Sequence, residues 1–158
     1  PRCKWIRCGR PMTVSKDAAV RCSFLRDATE EDIRKIIGLY RGQGWWMACD
    51  AGKEALIPRI ISGSHCFVIA RRGEDIVGMG RAISDGISDA YIQDLTVRHD
   101  CRNSGIGAMI LRTLLECLRE DGIAWIGLIA EPGAENLYRR AGFREMPGSS
   151  PMLMIEEP

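Results

Sequence analysis

The six residues Arg102-Asn103-Ser104-Gly105-Ile106-Gly107 carry the sharpest chemical signal in the chain. They lie between an apolar run that ends at Val97 and a helical pattern that begins near Ser104. A helix start presents unpaired backbone N–H groups and the positive end of the helix dipole. Glycines at 105 and 107 keep side chains away from those groups, which leaves a cradle for an anion such as a phosphate. Arg102 adds positive charge at the rim. A bland alternative is a helix whose first-turn glycines only allow close packing on a sheet. Neither Gly-x-x-x-x-Gly-Lys-Ser/Thr nor Gly-x-Gly-x-x-Gly occurs, which argues against an NTPase loop and against a dinucleotide fold.

The elements that must position this loop can be read from periodicity. Residues 20–25 read as a short strand. Thr29 can cap a helix whose first turn holds Glu30, Glu31 and Asp32, and Ile33, Ile36, Ile37 and Tyr40 repeat at helical spacing. Gly42 and Gly44 end it, and Trp45 and Trp46 follow. A second helix is predicted over 53–61, interrupted or kinked near Pro58. Residues 66–70 and 76–83 form a hairpin across the turn 72–75, and 90–97 form the next strand. Met109, Ile110, Leu114 and Leu118 mark a helix over 104–121, with Gly122 as its C-terminal cap. Then come a strand over 123–130, a short helix over 134–141 stopped by Gly142, and final strands over 143–146 and 152–155. This order predicts an α/β (α+β) fold with a mixed, mainly antiparallel sheet of about six to seven strands flanked by about four helices.

Bulk properties narrow the function classes. The chain has 158 residues, enough for one domain with its own core, and 46% of them are hydrophobic. Residues 20–158 read as a single domain and 1–19 as an N-terminal extension that opens on Pro1, with Met12 as an alternative natural start. Twenty-two basic residues face twenty-one acidic ones, for a net charge of +1. That balance argues against a nucleic-acid partner, and no apolar run is long enough to span a membrane. The seven cysteines are scattered, no Cys-x-x-Cys occurs, and the histidines are His65 and His99. Free thiols in a reducing cytoplasm are expected. Cys3 and Cys8 could supply two metal ligands but not four, so no metal is expected.

Arg-x-x-Gly-x-Gly after a strand resembles the pyrophosphate motif of the GNAT N-acetyltransferase superfamily. Glu135-Asn136-Leu137-Tyr138-Arg139-Arg140-Ala141-Gly142-Phe143 resembles its second cofactor motif, and the element order is similar to that fold over about residues 20–155. Three further segments resemble a bacterial-type subset of mostly unassigned acceptor: Arg81-Ala82-Ile83-Ser84-Asp85-Gly86, 90–97, and Ala130-Glu131-Pro132-Gly133. The resemblance implies an acetyl-CoA-dependent enzyme that acetylates the primary amine of a small molecule by direct attack on the thioester. It implies that Leu95, Thr96 and Val97 meet the acetyl-pantetheine arm, and that Arg102, Asn103, Ser104, Gly105, Ile106, Gly107 and Ala108 hold the pyrophosphate. Asn136 would bond the pantetheine region, and Tyr138 would lie near the sulfur. The strands of Leu95 and Ile129 would splay to admit the thioester. Folds of this kind are commonly homodimers, which the resemblance puts forward as an assembly.

Acetyl transfer to an amine needs a base for the amine, polarisation of the carbonyl, and a proton for the departing thiolate. A backbone N–H near Leu95 suits the second need and the Tyr138 hydroxyl the third, although a tyrosine on a short helix is also an ordinary core residue. Asp94 and Glu131 are the candidate bases. Strand alternation places Gln93 and Asp94 on opposite faces, and Asp94 could equally be a carboxylate that braces a loop. Some related amino-sugar enzymes carry Glu-Asp where this chain has Gln93-Asp94. Tyr40, Trp45 and Trp46 could wall the acceptor pocket, binding a cation or flat ring, or simply pack under a loop. Arg81 and Asp85 could contact the acceptor or form a weak surface pair. Two alternatives fit the same motifs: transfer to a protein amine, and a CoA-binding sensor or interaction module without turnover.

Overall fold

The computed structural model describes residues 19–47 and 52–154. Residues 1–18, which carry Cys3, Cys8 and Met12, lie outside the described residues, as do Cys49 and Ile155.

The first strand, β1 (Val20–Phe24), leads to α1 (Glu30–Gly42). Thr29 starts α1 with a reciprocal cap: its hydroxyl accepts the Asp32 N–H at 3.2 Å, and Asp32 Oδ2 accepts the Thr29 N–H at 3.2 Å. Arg71 Nη2 reaches Asp32 Oδ1 at 2.5 Å, so the cap also ties α1 to the sheet. A 3-10 turn at Lys53–Ala55 precedes α2 (Leu56–Gly63). The expected interruption near Pro58 takes the form of this change from 3-10 turn to α-helix, and no kink is needed at Pro58 itself, because it sits in the first turn of α2, where its missing N–H has no intrahelical partner to lose.

The hairpin of β2 (Cys66–Arg72) and β3 (Asp75–Ser84) continues into β4 (Asp89–Val97). A 3-10 turn at His99–Cys101 and the glycine loop feed α3 (Ile106–Glu120). Then follow β5 (Trp125–Gly127) and α4 (Glu135–Arg140). The five strands lie in the order β1-β2-β3-β4-β5, antiparallel except for the parallel β4–β5 pair. The fold class is as expected, with five strands rather than six or seven among the described residues. Residues 143–146 and 152–154 form no ladder. Pro147, Gly148 at φ +78° and Pro151 interrupt that segment. Met152, Leu153 and Met154 are more than 80% exposed, so no burial holds a strand there.

The sheet separates two cores. Ile36, Ile37, Tyr40, Ile57, Ile61, Phe67, Ile69 and Met79 pack on the α1–α2 side. Val68, Val77, Ile92, Ile110, Leu114 and Leu118 pack on the α3 side. Two glycines of β3 bring α3 close. A Cβ on Gly78 would lie 2.9 Å from Ile110 Cδ1, and one on Gly80 would lie 2.9 Å from Ile110 Cγ2. The start of α3, and with it the glycine loop, is thereby seated directly on the sheet.

Candidate active site

The middle of β4 departs from strand alternation. Ala90, Ile92, Leu95 and Val97 all face the α3 core. The step from Ile92 to Leu95 is three residues instead of two, so Gln93 and Asp94 both turn to the α1 face. The ladder records the same event: Met79 pairs with Thr96 and Arg81 with Gln93, leaving Gly80 opposite the two residues Asp94 and Leu95. This is a β-bulge, and Asp94 takes the left-handed conformation at φ +55°. The expected opposite orientation of Gln93 and Asp94 is corrected by this extra residue.

The bulge assembles a polar cluster. Arg81 donates from Nε to Asp94 Oδ2 at 2.5 Å and from Nη2 to Gln93 Oε1 at 2.6 Å. Tyr40 donates its hydroxyl to the same Asp94 oxygen at 2.8 Å. Burial first, then the Asp94 charge, pushes the Tyr40 phenol above its ordinary value. Trp46 stacks on Tyr40 with centroids 4.4 Å apart, and Trp45 lies tilted at 6.0 Å. Lys53 Nζ sits 5.6 Å from the Trp46 ring centroid. Trp45, Trp46, Arg81 and Asp94 are therefore brought together, through Tyr40. Asp85 is not among them. Its carboxylate accepts the N–H groups of Ile87 and Ser88 and forms the β3–β4 turn, which holds it at about 2.

On the other face, the glycine loop has the geometry of an anion cradle. Asn103 (φ +59°) and Gly105 (φ +83°) are left-handed positions on either side of Ser104. Such alternation points successive N–H groups to one side. No side chain caps α3, its first turn has no acidic residue, and its first N–H bonded back within the chain is that of Met109, to Gly105 at 3.1 Å. Arg102 is anchored through Nε to the Val97 carbonyl at 3.1 Å, and Ser104 Oγ is turned back to the Cys101 carbonyl at 2.5 Å. A Cβ on Gly107 would lie 3.5 Å from Leu137, 3.7 Å from Val97 and 3.9 Å from Leu95. The loop, the end of β4 and α4 thus meet at Gly107. These residues fit a pyrophosphate: free N–H groups, an adjacent cation and no acid.

Between the two faces the sheet opens. β4 and β5 pair only as Asp89–Trp125, Ala90–Ile126 and Tyr91–Gly127. The bulge that follows bends β4 away, so the strand expected over 123–130 is confined to Trp125–Gly127. Beyond Tyr91 and Gly127 no ladder joins the segments that carry Leu95 and Ile129. Tyr138 is buried on α4, with its ring edge-on to Phe143 at 6.0 Å. Burial, and after it the charge of Glu131, raises its phenol above 10.0. The hydroxyl therefore keeps its proton at neutral pH, and Glu131 stands close enough to be felt. Asn136 is exposed and accepts from Arg139 at 3.3 Å.

Sequence reasoning did not find the Tyr40–Asp94–Arg81 cluster, nor Gln93 as its fourth member. The one available signal was Gly80, a glycine inside a strand pattern, which often marks a bulge in the neighbouring ladder. Thr96, expected beside the cofactor arm, has a buried hydroxyl with no hydrogen-bond partner among the described residues.

Comparison with known proteins extends this geometry. A family model described as an acetyltransferase (GNAT) domain matches residues 25–152. Serotonin N-acetyltransferase 2, chloroplastic, of Oryza sativa subsp. japonica is 36% identical over 67 residues, 42% of this chain and 34% of that protein. An uncharacterized N-acetyltransferase of Porphyra purpurea is 36% identical over 72 residues, 46% of this chain and 41% of that protein. The matches thus span well under half the length of these relatives. A GNAT-family acetyltransferase from Streptococcus pneumoniae TIGR4 superposes with a TM-score of 0.71 at 22% identity, covering 88% of this chain and 99% of that one. Glucosamine-6-phosphate N-acetyltransferase from Arabidopsis thaliana superposes with a TM-score of 0.68 at 14% identity, again over 88% and 99%. Identities this low carry the fold alone. With the family model matched over most of the chain, and the bulged strand and glycine loop where such a fold needs them, the chain belongs to the GNAT acetyltransferase family.

Proposed function

We propose that the protein transfers the acetyl group of acetyl-CoA to the primary amine of a small molecule, within one catalytic domain over residues 20–158. The observation that carries this reading is the opening between β4 and β5. It lies beside an anion cradle on one face and a polar, aromatic cluster on the other. The free thiols of Cys22, Cys66, Cys101 and Cys117 support a reducing compartment, which we take as the cytoplasm.

Acetyl-CoA supplies the activated thioester. Its pyrophosphate lies against the N–H groups of residues 105–108, with Arg102 at the edge, and its arm runs along Leu95, Thr96 and Val97 toward the opening, with Asn136 alongside. Asp94 Oδ2 is committed to Arg81 and Tyr40, and no donor among the described residues reaches its Oδ1. That oxygen attracts and orients the acceptor amine, beside the ring wall of Tyr40 and Trp46. Glu131 has no ion-pair partner among the described residues and takes the amine proton. The amine nitrogen attacks the carbonyl carbon, the carbon–sulfur bond breaks, and the Tyr138 hydroxyl gives its proton to the thiolate. A small acceptor fits the balanced charge of +1 better than a basic or acidic macromolecule does.

Calorimetric titration with acetyl-CoA, followed by a thiol-release screen over small amines, tests the proposal. Micromolar binding with turnover on a small amine supports it. Binding without turnover on any amine favours a CoA sensor, and turnover only on a protein amine moves the acceptor class. Gly105 has open space around it but sits at φ +83°, so Gly105→Glu places an acid in the cradle at a backbone cost of about 1–2 kcal/mol, and is expected to abolish binding while the fold persists.

A further inference from the structure

Metal-ligand side chains converge at the end of α3 remote from the glycine loop. His65 immediately precedes β2, Cys117 lies in the last turns of α3, and Asp121 follows its end. The i, i+4 spacing of Cys117 and Asp121 puts both on one side of the helix axis. One ligand atom from each of His65, Cys117 and Asp121 lies within 4.8 Å of the others. His65 Nε2 and Asp121 Oδ2 are 2.7 Å apart. The His65 backbone N–H donates to the Ala82 carbonyl at 2.8 Å, which fixes the residue to β3. Cys66, the next residue, is buried in the same core cluster as Cys117. The His65 and Asp121 side chains are 11% and 20% exposed, so an ion has a way in from solvent.

We propose that His65 Nε2, Cys117 Sγ and an Asp121 carboxylate oxygen bind a Zn2+ ion, with water as the fourth ligand. One imidazole, one thiolate and one carboxylate form a donor set that suits zinc and excludes Ca2+ and Mg2+, which take oxygen ligands. Zinc bonds of about 2.0–2.3 Å in a tetrahedron place ligand atoms roughly 3.3–3.7 Å apart. The present separations, 2.7 Å for one pair and within 4.8 Å for all, bracket that range. Small side-chain rotations therefore complete the site. A simple His–Asp pair at a helix end accounts for the 2.7 Å contact but not for the thiol beside it. The Cys117 proton leaves to solvent as the ion binds.

Along α3 the site lies about 16 Å from Ile106, at 1.5 Å per residue. It thus stands apart from acetyl transfer and ties the helix end to the hairpin of β2 and β3. The scattered cysteine spacing conceals it in the sequence, because its ligands come from two distant segments.

Metal-free full-length protein titrated with Co2+ is the test. We expect one Co2+ per chain, with a thiolate-to-cobalt absorption band that Zn2+ displaces. At a hundredfold Zn2+ excess over Kd the thermal midpoint should rise by roughly 5–10 °C. Cys117→Ser should remove the band. The variants His65→Gln and Asp121→Asn should each weaken binding at least ~10-fold while circular dichroism stays native. A chain with Cys3, Cys8 and Cys49 all replaced by Ser should bind as the parent does. The proposal is overturned if no band forms, if the band survives in Cys117→Ser, or if the triple serine chain loses it. Parental affinity in folded His65→Gln and Asp121→Asn overturns it as well, whether or not Cys117→Ser folds.

Discussion

Arg81 Nε and Asp94 Oδ2 stand 2.5 Å apart, and the Tyr40 hydroxyl shares that oxygen at 2.8 Å. Both side chains of the ion pair are mostly buried, at 16% and 21% exposure, so the contact is not a screened surface pair. Arg81→Ala should free the Asp94 carboxylate to rotate. We expect the acceptor KM to rise about tenfold or more, given the ~1.5–3 kcal/mol typical of a charged hydrogen bond. The acetyl-CoA affinity should change little, because the cradle lies on the other face. Equal losses in both constants would show that Arg81 supports the sheet as a whole. Asp94→Asn should likewise raise the acceptor KM and keep the acidic limb of the pH–rate profile, which Glu131→Gln should lose.

Tyr138→Phe removes one hydroxyl from a ring that stays packed on Phe143. A lost proton donor should lower kcat by roughly 10²-fold with little change in cofactor KM. Burial raises the phenol pKa, so the protonated form persists through the assay range and Tyr138 should add no basic limb below pH 10. A kcat equal to the parent's would take Tyr138 out of the chemistry.

Asp32 sets an acid-side stability dependence. Burial opposes its ionisation, but the hydrogen bonds from Arg71 and Thr29 outweigh this and hold its pKa below 3.8. A depressed folded pKa stabilises the protein above the unfolded value, and that contribution disappears as pH falls through the folded one. Denaturant midpoints should therefore fall below about pH 4, and Asp32→Asn should be less stable at neutral pH with a flatter acid slope. Thr29→Ala should cost about 1 kcal/mol through the lost cap.

Two glycines give opposite signs with alanine. At Gly80 the new Cβ would meet Ile110 at 2.9 Å, Leu114 at 3.2 Å and the Leu95 Cα at 3.5 Å, whereas at Gly38 it would meet nothing within 4 Å. Gly80→Ala should destabilise by about 1–3 kcal/mol through overpacking. Gly38→Ala, in the body of α1, should stabilise by about 0.5–1 kcal/mol. Chemical denaturation of the pair checks both.

The parts legible in the sequence are those set locally. Thr29 with Asp32, Gly122 after α3, and the glycine loop each follow from a few adjacent residues. The hairpins followed from alternation and turn chemistry. What escaped depends on distant partners. The bulge at Asp94 arises where Gly80 faces two residues of another strand, and no count along β4 alone reveals it. Pro58 reads as an interior position because the regular α-helix begins three residues later than the apolar pattern suggests. The segments 143–146 and 152–154 have strand-like composition but no neighbour to pair with, and composition does not supply one.

The three-residue step from Ile92 to Leu95 makes β4 sensitive to its length in a way that point substitutions do not probe. Deleting either Gln93 or Asp94 would restore a strict two-residue rhythm and leave Gly80 opposite a single residue. Leu95, Thr96 and Val97 would keep their faces and their β3 partners, but β4 would straighten alongside β5, past the point where their pairing now stops at Tyr91 and Gly127. A single inserted residue thus supplies both the second polar side chain on the α1 face and the bend beside β5, and its loss would remove the two together.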